Sequence, residues 1–285
     1  MEEIEHKYVQ VNGLKLHVAE IGKIGSSPAV VFLHGFPEIW YSWRHQMTAV
    51  ARAVQSYRTR LQRVRVIDPP PEPEKTTFMD LLADILALLD DLGLSKVILI
   101  GKDFGSRIAY IFSLLHPGRV SGVITLGVPF VPPSRPTVLK HLPEGSYISR
   151  WQERGRAETD FSRFDCKTVI RNIYILFSRN EVPIANENQE IMDILDVSTP
   201  LPSWSLHEEF NIANLKVEVP ALVIMGGKDY SLKFPGIEDH IKSGRAKVYV
   251  PNLETAFLLE GSHFMQEQFP DQVNQLVLNF LSNYS

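Results

Sequence analysis

The sequence predicts an α/β protein whose core is a doubly wound, mostly parallel sheet with an inserted helical lid. Short apolar runs without alternation recur along the chain, as is typical of strands buried on both faces of a parallel sheet. Helical patterns lie between these runs. Residues 97–106 then pass from an apolar strand directly into a helix through small residues around Asp103, which is the pattern of a nucleophile elbow.

The chain starts with a predicted antiparallel hairpin, because residues 8–18 alternate apolar and polar side chains around Asn12-Gly13. The predicted buried strands are residues 29–33, 97–100, 123–126, 221–225 and 247–250. The predicted helices include residues 78–92, the stretch after Asp103 that runs to His116, and residues 269–280. This alternation of strand and helix indicates the doubly wound sheet.

The region after the strand at 123–126 interrupts the alternation, since it is rich in proline, aromatic and charged residues. We interpret residues 131–215 as the helical lid, with a helix near 167–177, and residues 1–130 and 216–285 as the core. Ligands of such sheets bind at the carboxyl ends of the strands, so this lid would overhang Asp103. An unrelated inserted helical domain is the alternative.

Composition excludes several classes of protein. The net charge of −4 gives no reason to expect a nucleic acid partner, and 44% hydrophobic residues suit a soluble enzyme. The N-terminus is acidic, and no apolar stretch is long enough for a membrane span, so the cytosol is the expected compartment. The single cysteine, Cys166, excludes an internal disulfide and is interpreted as a packing residue. The histidines form no metal-ligand pattern, so no cofactor is expected.

Asp103 occupies the place of the nucleophile in the elbow. A carboxylate there cannot form the acyl-enzyme of an esterase, but it can attack a saturated carbon and form an alkyl ester with the substrate. Alternatively, Asp103 only caps the helix that follows it.

Two backbone N–H groups near the elbow are predicted to form an oxyanion hole. Phe36 lies in the loop after the first central strand, and Phe104 directly follows Asp103. The Phe36-Pro37 bond is a candidate cis peptide that would fix this loop.

The remaining catalytic groups are predicted after the last two strands. Asp229 follows the strand at 221–225, and His263 lies between the final strand and the final helix. The order Asp103, Asp229, His263 is the nucleophile, acid and base order of this kind of fold. An exposed turn residue is the alternative interpretation of Asp229.

Together these residues make the chain resemble the soluble epoxide hydrolases of the α/β-hydrolase superfamily, most of all the plant-type enzymes. The matching stretches are residues 34–38, 40–46, the elbow, 147–153 and 261–264. The resemblance implies that a small epoxide and water react to give a vicinal diol through an ester on Asp103. It also implies that Tyr147 of the lid donates to the leaving oxygen, and that His34, Pro37 and Trp40 line the substrate pocket. Lid packing is the alternative role of Tyr147.

The lid departs from the family pattern. The family has a second lid tyrosine, but here Pro202-Ser203-Trp204 runs directly into residues 205–210, as if about thirty residues were excised. No tyrosine occurs between Tyr174 and Tyr230. Tyr174 could substitute, although its apolar surroundings favour packing. Loss of one charge-assisted hydrogen bond costs about 1.5–3 kcal/mol, or roughly ten- to a hundredfold in rate.

Residues 54–67 are the second departure. This arginine-rich segment stands where the family has a buried strand followed by Asp-x-Arg-Gly-x-Gly. A degenerate nucleotide sequence for this stretch, read one base out of frame, gives Phe-Lys-Ala-Thr-Ala-Pro-Asp-Tyr-Arg-Gly-Tyr-Gly-Leu, which restores the pattern. We therefore interpret the segment as a local frameshift. A basic surface helix at 49–61 is the alternative.

Two other functions share these motifs. A haloalkane or haloacid dehalogenase would use the same aspartate and base, but Phe104 stands where dehalogenases place a halide-binding tryptophan. Fluoroacetate dehalogenases hold the substrate carboxylate with two arginines, and Arg107 matches only one of them. A catalytically impaired hydrolase-like binder is suggested by the altered lid and strand. For the leading interpretation, a monomer or a homodimer is expected.

Overall fold

An antiparallel hairpin opens the fold, as the sequence predicts. In the computed structural model the described residues are 4–22, 29–53, 65–66, 77–131, 144–151, 153, 155–178, 182–194 and 216–284. Strands β1 (Glu5–Val11) and β2 (Leu14–Glu20) pair around Asn12 and Gly13, both of which have positive φ. Their apolar side chains form a small cluster with Leu88.

The main sheet has five parallel strands in the order β3-β5-β6-β7-β8. These strands are β3 (Ala29–Leu33), β5 (Val97–Lys102), β6 (Val120–Leu126), β7 (Ala221–Gly226) and β8 (Leu253–Leu258). Every residue of β3, β5 and β7 is buried, which explains why their sequences are apolar apart from Lys102 at the end of β5. Four of the five predicted strands are therefore confirmed.

Helices cover both faces of this sheet. The core helices are α1 (Arg44–Ala53), α2 (Phe78–Asp91), α3 (Phe104–Leu115), α7 (Ile237–Lys242), α8 (Met265–Gln268) and α9 (Pro270–Asn283). Helices α2, α3 and α7 pack with Val31 and Leu99 on one face, while α1 and α9 pack with Phe32 and Ile100 on the other. The doubly wound arrangement is thus confirmed. No described helix is long and apolar enough to cross a membrane.

The helices of the predicted lid pack against residues that follow the carboxyl ends of the strands. They are α4 (Tyr147–Trp151), α5 (Arg156–Ser162) and α6 (Cys166–Ser178), followed by a 3₁₀ turn at Ile191–Ile194. Their buried cluster includes Phe161 and Phe177 together with Tyr230 and Phe264, which belong to the core. All of these lid elements fall inside the predicted insertion at 131–215.

Two predictions, one about a strand and one about a packing residue, are wrong. Residues 247–250 do not form a strand, because a 3₁₀ turn covers Arg245–Val248 and the last strand is β8. Cys166 is not a packing residue, since it is an exposed free thiol at the start of α6.

The arginine-rich segment at 54–67 lies outside the described residues except for 65–66. These two residues form β4 (Arg65–Val66), which pairs antiparallel with Leu16 and His17 of β2. The loop at 202–210 also lies outside the described residues, so the excision in the lid stays a prediction.

Candidate active site

Asp103 stands at a sharp turn between β5 and α3. Its backbone has φ 53° and ψ −123°, a conformation that is strained for a residue with a side chain. Close packing holds the turn: a Cβ on Gly105 would lie 2.1 Å from the carbonyl oxygen of Leu33, and one on Gly101 would lie 2.4 Å from that of Gly105. The small residues of the elbow are therefore required by the contact between α3 and the sheet.

The side chain of Asp103 does not cap α3. It makes no capping hydrogen bond, although the residue occupies the N-cap position. Instead its Oδ2 accepts a hydrogen bond of 3.1 Å from the backbone N–H of Phe36. The helix-cap alternative is therefore wrong, and the carboxylate points towards the loop after β3.

Gly35 sets the distance between that loop and the carboxylate. A Cβ at residue 35 would lie 2.4 Å from the Asp103 Cβ and 2.5 Å from its Oδ2. We expect Gly35→Ala to displace Asp103 or Phe36 and to lower the rate of catalysis at least about a hundredfold, since a shift near 1 Å can cost that much. Steady-state kinetics of the purified variant would measure it.

Gly118→Ala is the matched control for this substitution. No atom lies within 4 Å of a Cβ built on Gly118, in the turn between α3 and β6. Its kinetics should match the parent protein. Equal activity of the Gly35 and Gly118 variants would contradict the tight fit around Asp103.

Asp229 and His263 form a buried pair next to the elbow. His263 Nδ1 lies 3.1 Å from both carboxylate oxygens of Asp229, and the side chains are 3% and 0% exposed respectively. Burial alone would raise the pKa of Asp229, but the charge and hydrogen bond of His263 and the Ser231 N–H hold it below its usual value. Asp229 is thus an ionised, oriented partner of the imidazole and not an exposed turn residue.

The other ring nitrogen of His263 faces the carboxylate of Asp103. Nε2 lies 3.9 Å from Asp103 Oδ1, which is too far for a direct hydrogen bond. The imidazole can therefore accept a proton from a molecule that lies beside the Asp103 carboxylate. Three residues that are far apart in the sequence therefore lie together around the His263 ring.

The loop after β3 has the predicted form. The Phe36-Pro37 peptide is cis, and the Phe36 N–H is directed at Asp103. Phe104 is the first residue of α3, with a side chain that is 48% exposed.

Tyr147 of α4 joins the lid to this site. Its hydroxyl is 3.0 Å from the hydroxyl of Tyr230, the residue directly after Asp229. Burial raises the pKa of Tyr147, and the nearby negative charge of Asp103 raises it further, so the phenol stays protonated at neutral pH. Tyr147 is therefore a neutral phenol within electrostatic range of Asp103.

A buried ion pair lies beneath the site and is not predicted from the sequence. Lys102 Nζ is 3.1 Å from Glu38 Oε2, and both side chains are 0% exposed. Lys102 also lies 4.7 Å from the centre of the Phe264 ring, and Gln266 donates a hydrogen bond to Glu38. Burial raises the pKa of Glu38, while Lys102 opposes that shift. Through these contacts the pair connects Lys102, which directly precedes Asp103, with Phe264 and Gln266, which follow His263.

We expect Lys102→Met to destabilise the protein by about 3–5 kcal/mol, because it leaves Glu38 buried without its partner. Urea denaturation at neutral pH measures this change. Lys228→Met is the control, since the Lys228–Glu260 pair is 52% and 71% exposed and such pairs contribute at most about 1 kcal/mol. Similar small losses in both variants would contradict a structural role of the buried pair.

The predicted pocket residues occupy different places. His34 and Pro37 flank the Gly35-Phe36 turn, and His34 Nδ1 lies 2.9 Å from the Gly35 carbonyl oxygen. The Trp40 ring instead contacts His6 of β1, with ring centres 4.8 Å apart. This contact places Trp40 beside the hairpin. Among the described residues, no group of three or more histidine, cysteine, aspartate or glutamate side chains is arranged to hold a metal ion.

Comparisons with known proteins agree with this geometry. The family model of the alpha/beta hydrolase fold matches residues 28–229. Epoxide hydrolase 2 of Siraitia grosvenorii is 32% identical over 325 aligned positions, which cover 100% of both chains. The crystal structure of an epoxide hydrolase from Vigna radiata matches with a TM-score of 0.83 and 31% identity, covering 99% of this chain and 98% of that one. Potato (Solanum tuberosum) epoxide hydrolase I matches with a TM-score of 0.79 and 26% identity, over 99% and 100% of the two chains.

Proposed function

We propose, since this chain belongs to the epoxide hydrolases of the α/β-hydrolase family, that it converts small epoxides to vicinal diols through an ester on Asp103. The observation that carries the proposal is the position of Asp103. Its carboxylate lies between the Phe36 N–H, 3.1 Å from Oδ2, and His263 Nε2, 3.9 Å from Oδ1.

In the first step a carboxylate oxygen of Asp103 attacks an epoxide carbon. The Phe36 N–H holds Oδ2, which leaves Oδ1 as the attacking oxygen. The ring C–O bond breaks, and its electron pair stays on the oxygen, which takes a proton from the Tyr147 hydroxyl. The products of this step are a hydroxyalkyl ester on Asp103 and a phenolate on Tyr147.

In the second step water hydrolyses the ester. His263, oriented by Asp229, takes a proton from water, and the hydroxide adds to the carboxyl carbon of Asp103. The N–H groups of Phe36 and Phe104 stabilise the resulting oxyanion. The C–O bond to the alcohol breaks, the carboxyl proton passes to the departing oxygen, and the imidazolium proton restores Tyr147. All of these groups lie in one chain, so the reaction needs no second subunit.

Isotope labelling with styrene oxide tests the ester. With enzyme in excess over substrate in ¹⁸O-water, the first diol should contain no label, because its new oxygen comes from Asp103. The label should appear in the Asp103 peptide and, after further substrate is added, in the diol that forms next. Label in the first diol would mean direct attack by water and would contradict the proposed nucleophile.

The same preparation separates the alternative functions. Saturable binding of styrene oxide without diol formation would favour a hydrolase-like binder, and halide release from an alkyl halide would favour a dehalogenase. One observation weighs against the dehalogenase: the Arg107 guanidinium carbon lies 5.0 Å from the centre of the Phe78 ring, so the side chain packs against α2.

A shortened lid is also part of the proposal. The alignment with the Siraitia protein spans 325 positions, whereas this chain has 285 residues, so at least 40 aligned positions have no residue here. This supports the loss of a segment relative to the family, as we infer for the region near Trp204.

A further inference from the structure

Tyr230 is a second phenol beside the site, and it comes from the core instead of the lid. It begins the 3₁₀ turn Tyr230–Lys233, directly after Asp229, and is 4% exposed. Its hydroxyl lies 3.0 Å from that of Tyr147. Its ring centre is 4.9 Å from that of His263 and 5.0 Å from that of Phe177, so it lies between the base and the lid.

The direction of this hydrogen bond decides what Tyr147 can do. Each phenol has one proton, so one hydroxyl of the pair donates and the other accepts. If Tyr230 donates, the proton of Tyr147 is left for a substrate oxygen near Asp103. Burial and the surrounding negative charges raise the pKa of Tyr230 well above its usual value, so its hydroxyl retains a proton that it can donate.

We infer that Tyr230 is a positioning residue for Tyr147, and that its O–H donates to the Tyr147 oxygen while Tyr147 protonates the opening epoxide. This inference rests on the proposed function and extends its first step. As the Tyr147 O–H bond breaks, the proton passes to the substrate oxygen, and the negative charge appears on the phenolate oxygen. Tyr230 keeps its own proton throughout and stabilises that phenolate with a charge-assisted hydrogen bond.

Tyr174 does not offer the same contact. Its ring packs on Phe264, with centres 4.3 Å apart, which confirms the packing role favoured from the sequence. Within the described structure, Tyr230 of the core is thus the phenol that pairs with Tyr147 of the lid.

The test follows ester formation in a His263→Gln background, where the second step is blocked and the ester accumulates. Tyr230→Phe should slow the formation of the ester from styrene oxide about ten- to a hundredfold, as expected for loss of one charge-assisted hydrogen bond. Tyr147→Phe should slow it at least as much. The double variant should be no slower than Tyr147→Phe, because Tyr230 acts only through Tyr147.

A second measurement separates positioning from general disruption. With His263 present, Tyr230→Phe should leave the rate of ester hydrolysis unchanged. Tyr110→Phe is the matched control, because Tyr110 is 2% exposed and its hydroxyl lies 2.9 Å from Thr125 in the core. This control should form the ester at the parent rate.

Several outcomes would overturn the inference. Independent, multiplicative losses in the double variant, or an unchanged rate of ester formation in Tyr230→Phe, would show that Tyr230 does not act through Tyr147. Equal slowing of both steps would indicate a structural role. If no ester forms even with both tyrosines intact, the proposed function fails and this inference fails with it.

Discussion

Asp103→Ala should lower diol formation by about 10⁴-fold or more, as removal of a covalent nucleophile does in other hydrolytic triads. The variant has no atom that can bond to the epoxide carbon, and water at this site would have to open the ring directly. The Phe36 N–H would also lose its acceptor. Chromatography of the diol formed from styrene oxide, with a melting curve to confirm folding, measures this effect.

Asp91→Ala is the control for that substitution, because Asp91 is exposed at the end of α2. It should retain the parent rate. Diol production that is unaffected by Asp103→Ala would contradict the assignment of the nucleophile, whatever the other residues do.

His263→Gln should separate the two steps of the reaction. Glutamine cannot take a proton from water, so turnover should fall by about 10³- to 10⁴-fold while ring opening continues. The protein should then gain the mass of one epoxide per chain, with the adduct on the peptide that contains Asp103. Intact-protein mass spectrometry after mixing with styrene oxide measures this ester.

His116→Gln, at the end of α3, is the control for the base and should turn over normally without an adduct. A His263 variant that retains parent turnover would assign the base elsewhere. An inactive variant without an adduct would place the defect in the first step.

The sequence predicts the fully buried strands better than the partly exposed strand. Strands β3, β5 and β7 are buried on both faces, so their sequences are apolar apart from Lys102 and are easily found. Strands β3 and β8 both end the strand order, but of these two only β8 has exposed residues, Glu254 and Thr255. Residues 247–250, of which the last three are apolar, resemble a strand more closely, although they belong to a 3₁₀ turn and the residues after it.

The parts of the site that the sequence misses are long-range pairs. Lys102 and Glu38 have no local pattern that shows they neutralise each other across 64 positions. Tyr230 and Tyr147 are also distant in sequence, and the family pattern places a second tyrosine in the lid, whereas Tyr230 belongs to the core. The position of Tyr230 directly after Asp229 is the feature of the sequence that could identify it. Asp103, by contrast, is marked by the small residues that its turn requires.

The frameshift inferred for residues 54–67 can be tested without the protein. Sequencing of the transcript should show an insertion or deletion, or a misplaced splice, at the boundaries of this segment. An in-frame message that encodes these arginines, together with an active enzyme, would contradict the inference. The pairing of β4 with β2 shows that residues 65–66 retain a place in the fold.

The adjacency of Asp229 and Tyr230 has a consequence for how this enzyme can change. Asp229 orients the base of the second step, and in our inference Tyr230 supports the acid of the first. The turn at Asp229 and Tyr230 therefore holds a residue that acts in each step. A substitution that changes the path of this turn would alter both half-reactions together. Selection for faster ring opening or faster ester hydrolysis alone would have to leave the path of this turn unchanged, as a change confined to the Tyr230 hydroxyl, the lid or the loop at Gly35 would do.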